Sequence, residues 1–182
     1  LGDGSIGPTG FPIIHGEYSD LEFYKSLIPH EKTLIRCKEE YKKNLGRLSV
    51  KKIASHVKEL GLIKTARNKF IPNIYKLGSI EQRKNILMGL MDTDGTTYKG
   101  VTSYTSISKQ LAIDVTEIVR SLGGNAKLYK NENDYGDYYI VQVRTDFAPF
   151  KLKRKIDKWI NPKRDFYTSI TNIEYIGKKF AR

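Results

Sequence analysis

The chain has 182 residues, enough for one sizeable domain or two small units sharing a core, and its apolar and charged fractions (39% and 29%) are those of a folded protein. Thirty-two Lys and Arg against 20 Asp and Glu give a net charge of +12, a balance that favours a polyanionic partner, nucleic acid before an acidic membrane. No apolar run approaches the ~20 residues that span a bilayer, no secretory signal opens the chain, and Cys37 alone leaves no internal disulfide or thiolate zinc cluster, so an intracellular protein of cytoplasm or nucleus is expected.

Caps and periodicity place the elements. Ser19-Asp20-Leu21-Glu22 has the form of a capping box, and Leu21, Tyr24, Leu27 and Ile28 then share one helical face. Thr33 to Lys38 reads as a strand with Arg36 and Lys38 on one side and Ile35 and Cys37 on the other. Val50 to Leu60 reads as a second helix, closed by Gly61 in a left-handed position. Ser79-Ile80-Glu81-Gln82 is another capping box, and the helix it opens runs into Leu87-Met88-Gly89-Leu90-Met91-Asp92-Thr93-Asp94-Gly95. Val101 to Ile107 follow a turn at Lys99-Gly100 as a strand. Ser108 begins a helix through Leu111, Val115, Ile118, Val119 and Leu122 that Gly123-Gly124 stops. Lys127 and Tyr129 oppose Ala126 and Leu128, and in Tyr138 to Arg144 the residues Tyr139, Val141 and Val143 oppose Tyr138, Ile140, Gln142 and Arg144. A short helix is expected over Phe150 to Ile160.

Sheets with one apolar face and one basic, aromatic and amide-bearing face suit a nucleic-acid surface; an ordinary half-solvated sheet shows the same alternation. Basic residues crowd Arg36 to Lys69 and Lys151 to Arg164, interleaved with Tyr41, Leu48, Leu152 and Trp159, so they belong to folded elements rather than to a basic tail. His15, His30 and His56 lack the spacing of metal ligands and read as surface or sheet-face residues.

The acids at the end of the central helix break a local rule. Asp92 and Asp94 face the negative end of the helix dipole, the wrong place for their charge. The same ending occurs at the start of the chain, Leu1-Gly2-Asp3-Gly4, and each ending is followed by a strand, a helix, a strand pair and a basic helix. Asp3 and Asp94 lie 91 positions apart, so the chain reads as two copies of one unit with a pseudo-two-fold relation, matching the two-fold relation between the strands of duplex DNA. Asp at the lip of a helix, followed by Gly that lets backbone approach, suits a Mg²⁺ ligand for phosphodiester hydrolysis. A single Asp-Gly of this kind is also an ordinary helix stop.

Leu87 to Gly95 resembles the signature of the LAGLIDADG homing endonucleases, with Met88, Met91 and Thr93 as departures, and Leu1 to Gly4 resembles the end of a first copy. Asn68-Lys69-Phe70-Ile71-Pro72 is similar to the lysine block of intein-borne members, and Thr168 to Gly177 looks like the start of an intein's closing splicing block. The resemblance implies an α+β fold of two pseudo-symmetric LAGLIDADG repeats of αββαββα type, with antiparallel saddle-shaped sheets and two central packed motif helices, Gly89 allowing their close approach. Its boundaries would be 1–78 for the first repeat, whose motif helix is truncated at its start, 79–167 for the second, and 168–182 for the splicing block. It implies Asp3 and Asp94 as catalytic metal ligands, with the backbone carbonyls of Gly2 and Thr93 as additional ones. Asp92 matches the earlier acidic position, but the first copy has Leu1 there, and it receives no catalytic role. Lys69 matches the active-site lysine, and Lys155, with Lys153 next, is chosen for the second repeat. DNA contacts are expected from Arg36, Lys38, Lys127, Tyr129, Gln142 and Arg144, with Tyr138 and Tyr104 behind them. The implied protein is a monomeric, Mg²⁺-dependent endonuclease that makes a staggered break in double-stranded DNA. The alternatives are a degenerate relative that binds DNA without cutting and an RNA-binding intron maturase. Without an amino-terminal Cys or Ser block and a closing His-Asn, the chain is not expected to splice by itself.

Overall fold

The structure, a computed structural model, describes residues 4–6, 11–38, 44–162, 172–175 and 177. Two units of the same order follow one another. The first runs β1 (Gly4–Ile6), β2 (Pro12–Glu17), α1 (Tyr18–Leu27), β3 (Lys32–Arg36), β4 (Leu45–Val50) and α2 (Ala54–Glu59). A 3-10 turn at Ala66–Asn68, the short α3 (Asn73–Lys76) and the central α4 (Ile80–Asp94) lead to the second. That unit is β5 (Gly95–Tyr98), β6 (Val101–Ser106), α5 (Lys109–Ser121), β7 (Asn125–Asn133), β8 (Gly136–Arg144) and α6 (Lys153–Ile156). Each forms a four-stranded antiparallel sheet, ordered β1-β2-β4-β3 and β5-β6-β8-β7. The registers correspond as well: Gly4 opposes Ile14 where Gly95 opposes Tyr104. This is the expected α+β architecture of two repeats; of the two motif helices, α4 is the one among the described residues.

Helix starts are set by local chemistry where a cap is present. The Ser79 hydroxyl accepts from the Gln82 N–H at 3.2 Å while Gln82 accepts from the Ser79 N–H at 2.9 Å, the reciprocal capping box the sequence predicts. Ser108 caps α5 in the same manner, accepting from the Leu111 N–H at 3.2 Å. The capping box read at Ser19 does not form. The chain passes straight from β2 into α1 with no side-chain cap at Glu17, and the Tyr18 N–H is taken by the Asn44 carbonyl at 2.6 Å.

Two further expectations are corrected. Val50 is the last residue of β4, not the first of a helix, because Gly46, Leu48 and Val50 alternate into the core while Leu45 and Arg47 point out. Gly61 does close α2, at a φ of 65°. The helix expected over Phe150 to Ile160 shrinks to Lys153–Ile156, since Phe150, Leu152 and Trp159 turn inward as separate anchors instead of forming one face.

The larger core lies in the second repeat. One face of β8 (Tyr139, Val141, Val143) packs on α5 (Leu111, Val115, Ile118, Val119), and Leu87, Leu90 and Met91 of α4 join the same cluster. Ile71, from the segment before α3, is buried in the same cluster. In the first repeat Leu21 of α1, Leu48 and Val50 of β4 and Val57 of α2 are buried, and α1 packs on β4. Gly46 lies under α1, where a Cβ would meet the Tyr18 ring at 3.0 Å and Leu21 at 3.3 Å.

Candidate active site

Positions two apart on a helix point about 200° away from each other, and α4 uses this to separate its two acids. Asp92 turns inward and is 4% exposed. Its carboxylate accepts from the Tyr24 hydroxyl at 2.5 Å, from the Lys151 N–H at 3.1 Å and from the Leu152 N–H at 3.2 Å. Burial first, then the hydrogen bond and charge of Asp92, hold the Tyr24 phenol protonated far above the ordinary tyrosine range, so that it remains a donor. Asp94, half-buried, lines a cleft of about 210 Å³ with Lys69, Tyr104, Thr105 and Ser106.

The unfavourable dipole contact is answered by a lysine. Lys155 donates to the carbonyls of Met91 (3.0 Å), Asp92 (2.6 Å) and Gly95 (2.7 Å), placing a cation on the helix C-terminus. Lys69 donates to the carbonyl of Gly4 at 3.1 Å. Gly4 and Gly95 are corresponding residues, each following the motif aspartate, so the two lysines hold corresponding places in the two repeats. Lys153 instead points to solvent and pairs with Asp157. Thr93 bends its hydroxyl back to the Leu90 carbonyl at 2.9 Å, and the same oxygen lies 3.3 Å from the Asp94 carboxylate. Asp3 and Gly2 lie outside the described residues.

Gly95 has an ordinary φ of −89°, so its requirement is space rather than conformation. A Cβ there would run into the carbonyl and Cα of Met91. Gly95→Ala is expected to displace the end of α4 and destabilise the fold by ~1–3 kcal/mol, the usual range for overpacking; a denaturation midpoint equal to that of the parent would refute it.

The sheet faces can be read from register. On the open face of the second sheet Lys127, Gln142, Ser103 and Thr96 lie in one cross-strand row, with Tyr129 beside Ile140 and Asn125 beside Arg144. The four expected residues of this sheet, Lys127, Tyr129, Gln142 and Arg144, therefore share one surface. Tyr104 does not; it is fully buried in the core. In the first sheet Arg36 pairs with Gly46, on the side covered by α1, and its guanidinium stacks over the Tyr18 ring at 4.0 Å. Arg36 is thus corrected from the open face to the helix side, because the strand's apolar parity runs through Leu34 and not Ile35. Lys38 lies beyond the end of β3. The open row here is His15, Arg47 and Ile35. Arg47 is absent from the expected contacts because the sequence places Val50 at the start of a helix and assigns no strand to 45–50.

Among the described residues no group of three or more His, Cys, Asp or Glu gathers as a ready metal cage. A hard cation that keeps its waters needs less, one or two carboxylates beside substrate phosphate. Asp94, an oxygen donor on the lip of a cleft at the negative end of a helix dipole, fits that demand.

These features define a two-repeat LAGLIDADG protein. The family model for the LAGLIDADG-like domain matches residues 81–175, more than half of the 182, and the chain belongs to that family. It is 37% identical over 94 residues to the replicative DNA helicase DnaB of Mycobacterium intracellulare, a match covering 48% of this chain and 16% of the helicase. Solved structures of similar fold include mesophilic variants of the homing endonuclease I-DmoI, at a TM-score of 0.51 and 12% identity over 78% of this chain and 76% of that chain. Another is I-DmoI in complex with DNA and Ca, at 0.50 and 12% over 81% and 71%.

Proposed function

We propose that the chain is a site-specific homing endonuclease that makes a staggered double-strand break in a long DNA target by Mg²⁺-dependent hydrolysis. The observation that carries this reading is the meeting of Asp94 and Lys69 on one cleft, with Lys155 on the end of the same motif helix. Asp94 and Asp3 would hold the metal, with the Thr93 and Gly2 carbonyls beside them. Bound there, the ion supplies an activated water and neutralises charge developing at phosphorus. Lys69 and Lys155 add fixed positive charge where the anionic backbone would enter. Lys127, Tyr129, Gln142 and Arg144 would read base edges from the open sheet face, and His15 and Arg47 would do so from the other sheet. Lys38 would contact phosphate.

The remaining parts of the reading concern context. The chain would act as a monomer whose two repeats, 1–78 and 79–167, each address one strand, inside the cell. The match to a small fraction of a much longer replicative helicase supports an endonuclease carried within a host protein, as an intein is. Residues 168–182, read as the start of a splicing block, fall mostly outside the described residues.

The test is incubation of the protein with a pooled duplex library in Mg²⁺ or Ca²⁺ and sequencing of cut ends. Discrete ends in Mg²⁺ alone are expected. Enriched bound DNA without ends in either metal would make the chain a binder and refute the nuclease reading; tighter binding of structured RNA than of duplex would favour a maturase. Lys69→Ala is expected to slow cutting ~100-fold, within the usual range for a lost charge stabiliser, with little change in affinity. A large loss of affinity with normal turnover would make Lys69 a phosphate clamp instead.

A further inference from the structure

Each lysine sits on a segment whose fastenings reach into the opposite repeat. The Lys69 segment lies at the end of the first repeat, yet its anchors are in the second. The Ser108 hydroxyl donates to the Lys69 carbonyl at 2.6 Å, and the Ile71 N–H donates to Asp114 at 2.7 Å. Lys76 completes the grip with a 2.8 Å bond to the other oxygen of Asp114. Asp114 is 1% exposed and projects from α5, so this is a buried anchor and not a surface ion pair. The hydrogen bond from Asp114 outweighs the burial of Lys76 and lifts its ammonium above the ordinary lysine range.

The Lys155 segment lies at the end of the second repeat; its ammonium is held by α4 of that repeat, and further anchors run to the first. Arg154 makes a bidentate pair with Asp20 of α1. One turn further along the same helix, Tyr24 donates to Asp92, whose oxygens accept the Lys151 and Leu152 N–H groups and so cap the turn that presents Lys155. Asp20 and Tyr24 are spaced i, i+4 and therefore act from one face of α1.

We infer that the two active-site lysines are positioned crosswise: α5 of the second repeat fixes Lys69 through Ser108 and Asp114, and α1 of the first repeat fixes Lys155 through Asp20 and the Tyr24–Asp92 pair. Asp114 and Tyr24 are positioning residues, acting through the segments they hold. The arrangement makes each centre depend on the folding of both repeats, so neither half would present its lysine without the other. For an enzyme that must cut both strands, this couples the two centres mechanically. The functional part of the inference rests on the nuclease reading above; the geometric part does not.

The experiment compares Tyr24→Phe, Asp114→Asn and Lys76→Met with the parent chain by acetylation of lysines with acetic anhydride. Rates are followed residue by residue by mass spectrometry, with exposed Lys58 as the internal reference. Tyr24→Phe is expected to speed acetylation of Lys155 about tenfold, the loss of one partly buried hydrogen bond, with Lys69 within about twofold of the parent. Asp114→Asn is expected to do the reverse, and Lys76→Met, which takes the cation from Asp114 but leaves its bonds from the Ile71 N–H and the Gln110 amide, keeps the comparison open should Asp114→Asn unfold. Equal acceleration of both lysines, or of neither, would overturn the inference. On a cleavable duplex the same variants are expected to slow opposite strands. Absence of cutting by the parent chain would count against the nuclease reading alone, because the acetylation rates decide the crosswise positioning without it.

Discussion

Asp94→Ala is expected to abolish cleavage of one strand, by at least ~1,000-fold as for loss of a principal electrostatic group in an active site, while duplex affinity stays within about threefold. The expectation follows from where the carboxylate stands. It projects into the cleft shared with Lys69, and it lies at the end of α4 where helix dipole and negative charge repel. The affinity should hold because the surface proposed to read bases is the open face of the sheets, on the far side of the strands from the core. Nicked duplex should accumulate if Asp3 serves the other strand. The decisive measurement is a strand-resolved cleavage assay beside a binding titration at fixed salt, since affinity for DNA is steeply salt-dependent. Retained double-strand cutting would remove Asp94 from the metal-ligand set.

How much of this could be read without coordinates depends on whether the signal was local. Ser79 and Ser108 capped their helices as expected, because a capping box is a bond pattern within one turn. The second sheet was legible for a similar reason: Tyr139, Val141 and Val143 alternate strictly, so parity assigns Lys127, Gln142 and Arg144 to the open face. The first sheet was harder. Ile35 looks like the core residue of β3, but Leu34 is, and one residue of parity moves Arg36 to the side covered by α1. Within 45–50 the glycine at 46 hides an inward position, so alternation does not reveal the strand or Arg47 on it.

Long-range pairings left no local trace at all. Asp20 reads as an intervening position of the Ser19–Glu22 capping box, and only the approach of Arg154, 134 residues away, shows its partner. Asp114 reads as one polar position on an amphipathic helix, whereas the fold buries it under the Lys69 segment. The rule-breaking acids near Gly95 did announce the site, but their division of labour was not readable from spacing. Helical geometry separates them, and what each one meets depends on segments that arrive from elsewhere in the chain.

That division leads to the largest expected effect on stability, at Asp92 rather than at Asp94. Asp92→Ala should cost about 3 kcal/mol, because it strands the Lys151 and Leu152 N–H groups and the Tyr24 hydroxyl around a site that is 4% exposed, and an unmet buried donor costs ~1–3 kcal/mol. Asp92→Asn is the informative contrast. Its amide oxygen can still accept from the two N–H groups, and its NH₂ can donate to the Tyr24 oxygen, so roughly half of the loss or less is expected. Denaturant unfolding of both variants checks this, read as a fall in midpoint at constant m. Equal losses for alanine and asparagine would mean that the negative charge, and not the hydrogen bonds, secures the turn. A loss below about 1 kcal/mol for alanine would mean the turn carrying Lys155 is held by Phe150 and Leu152 packing alone. The predicted ordering, alanine well below asparagine and asparagine below the parent, distinguishes an acid that builds the turn from the acid two residues on that is proposed to hold the metal.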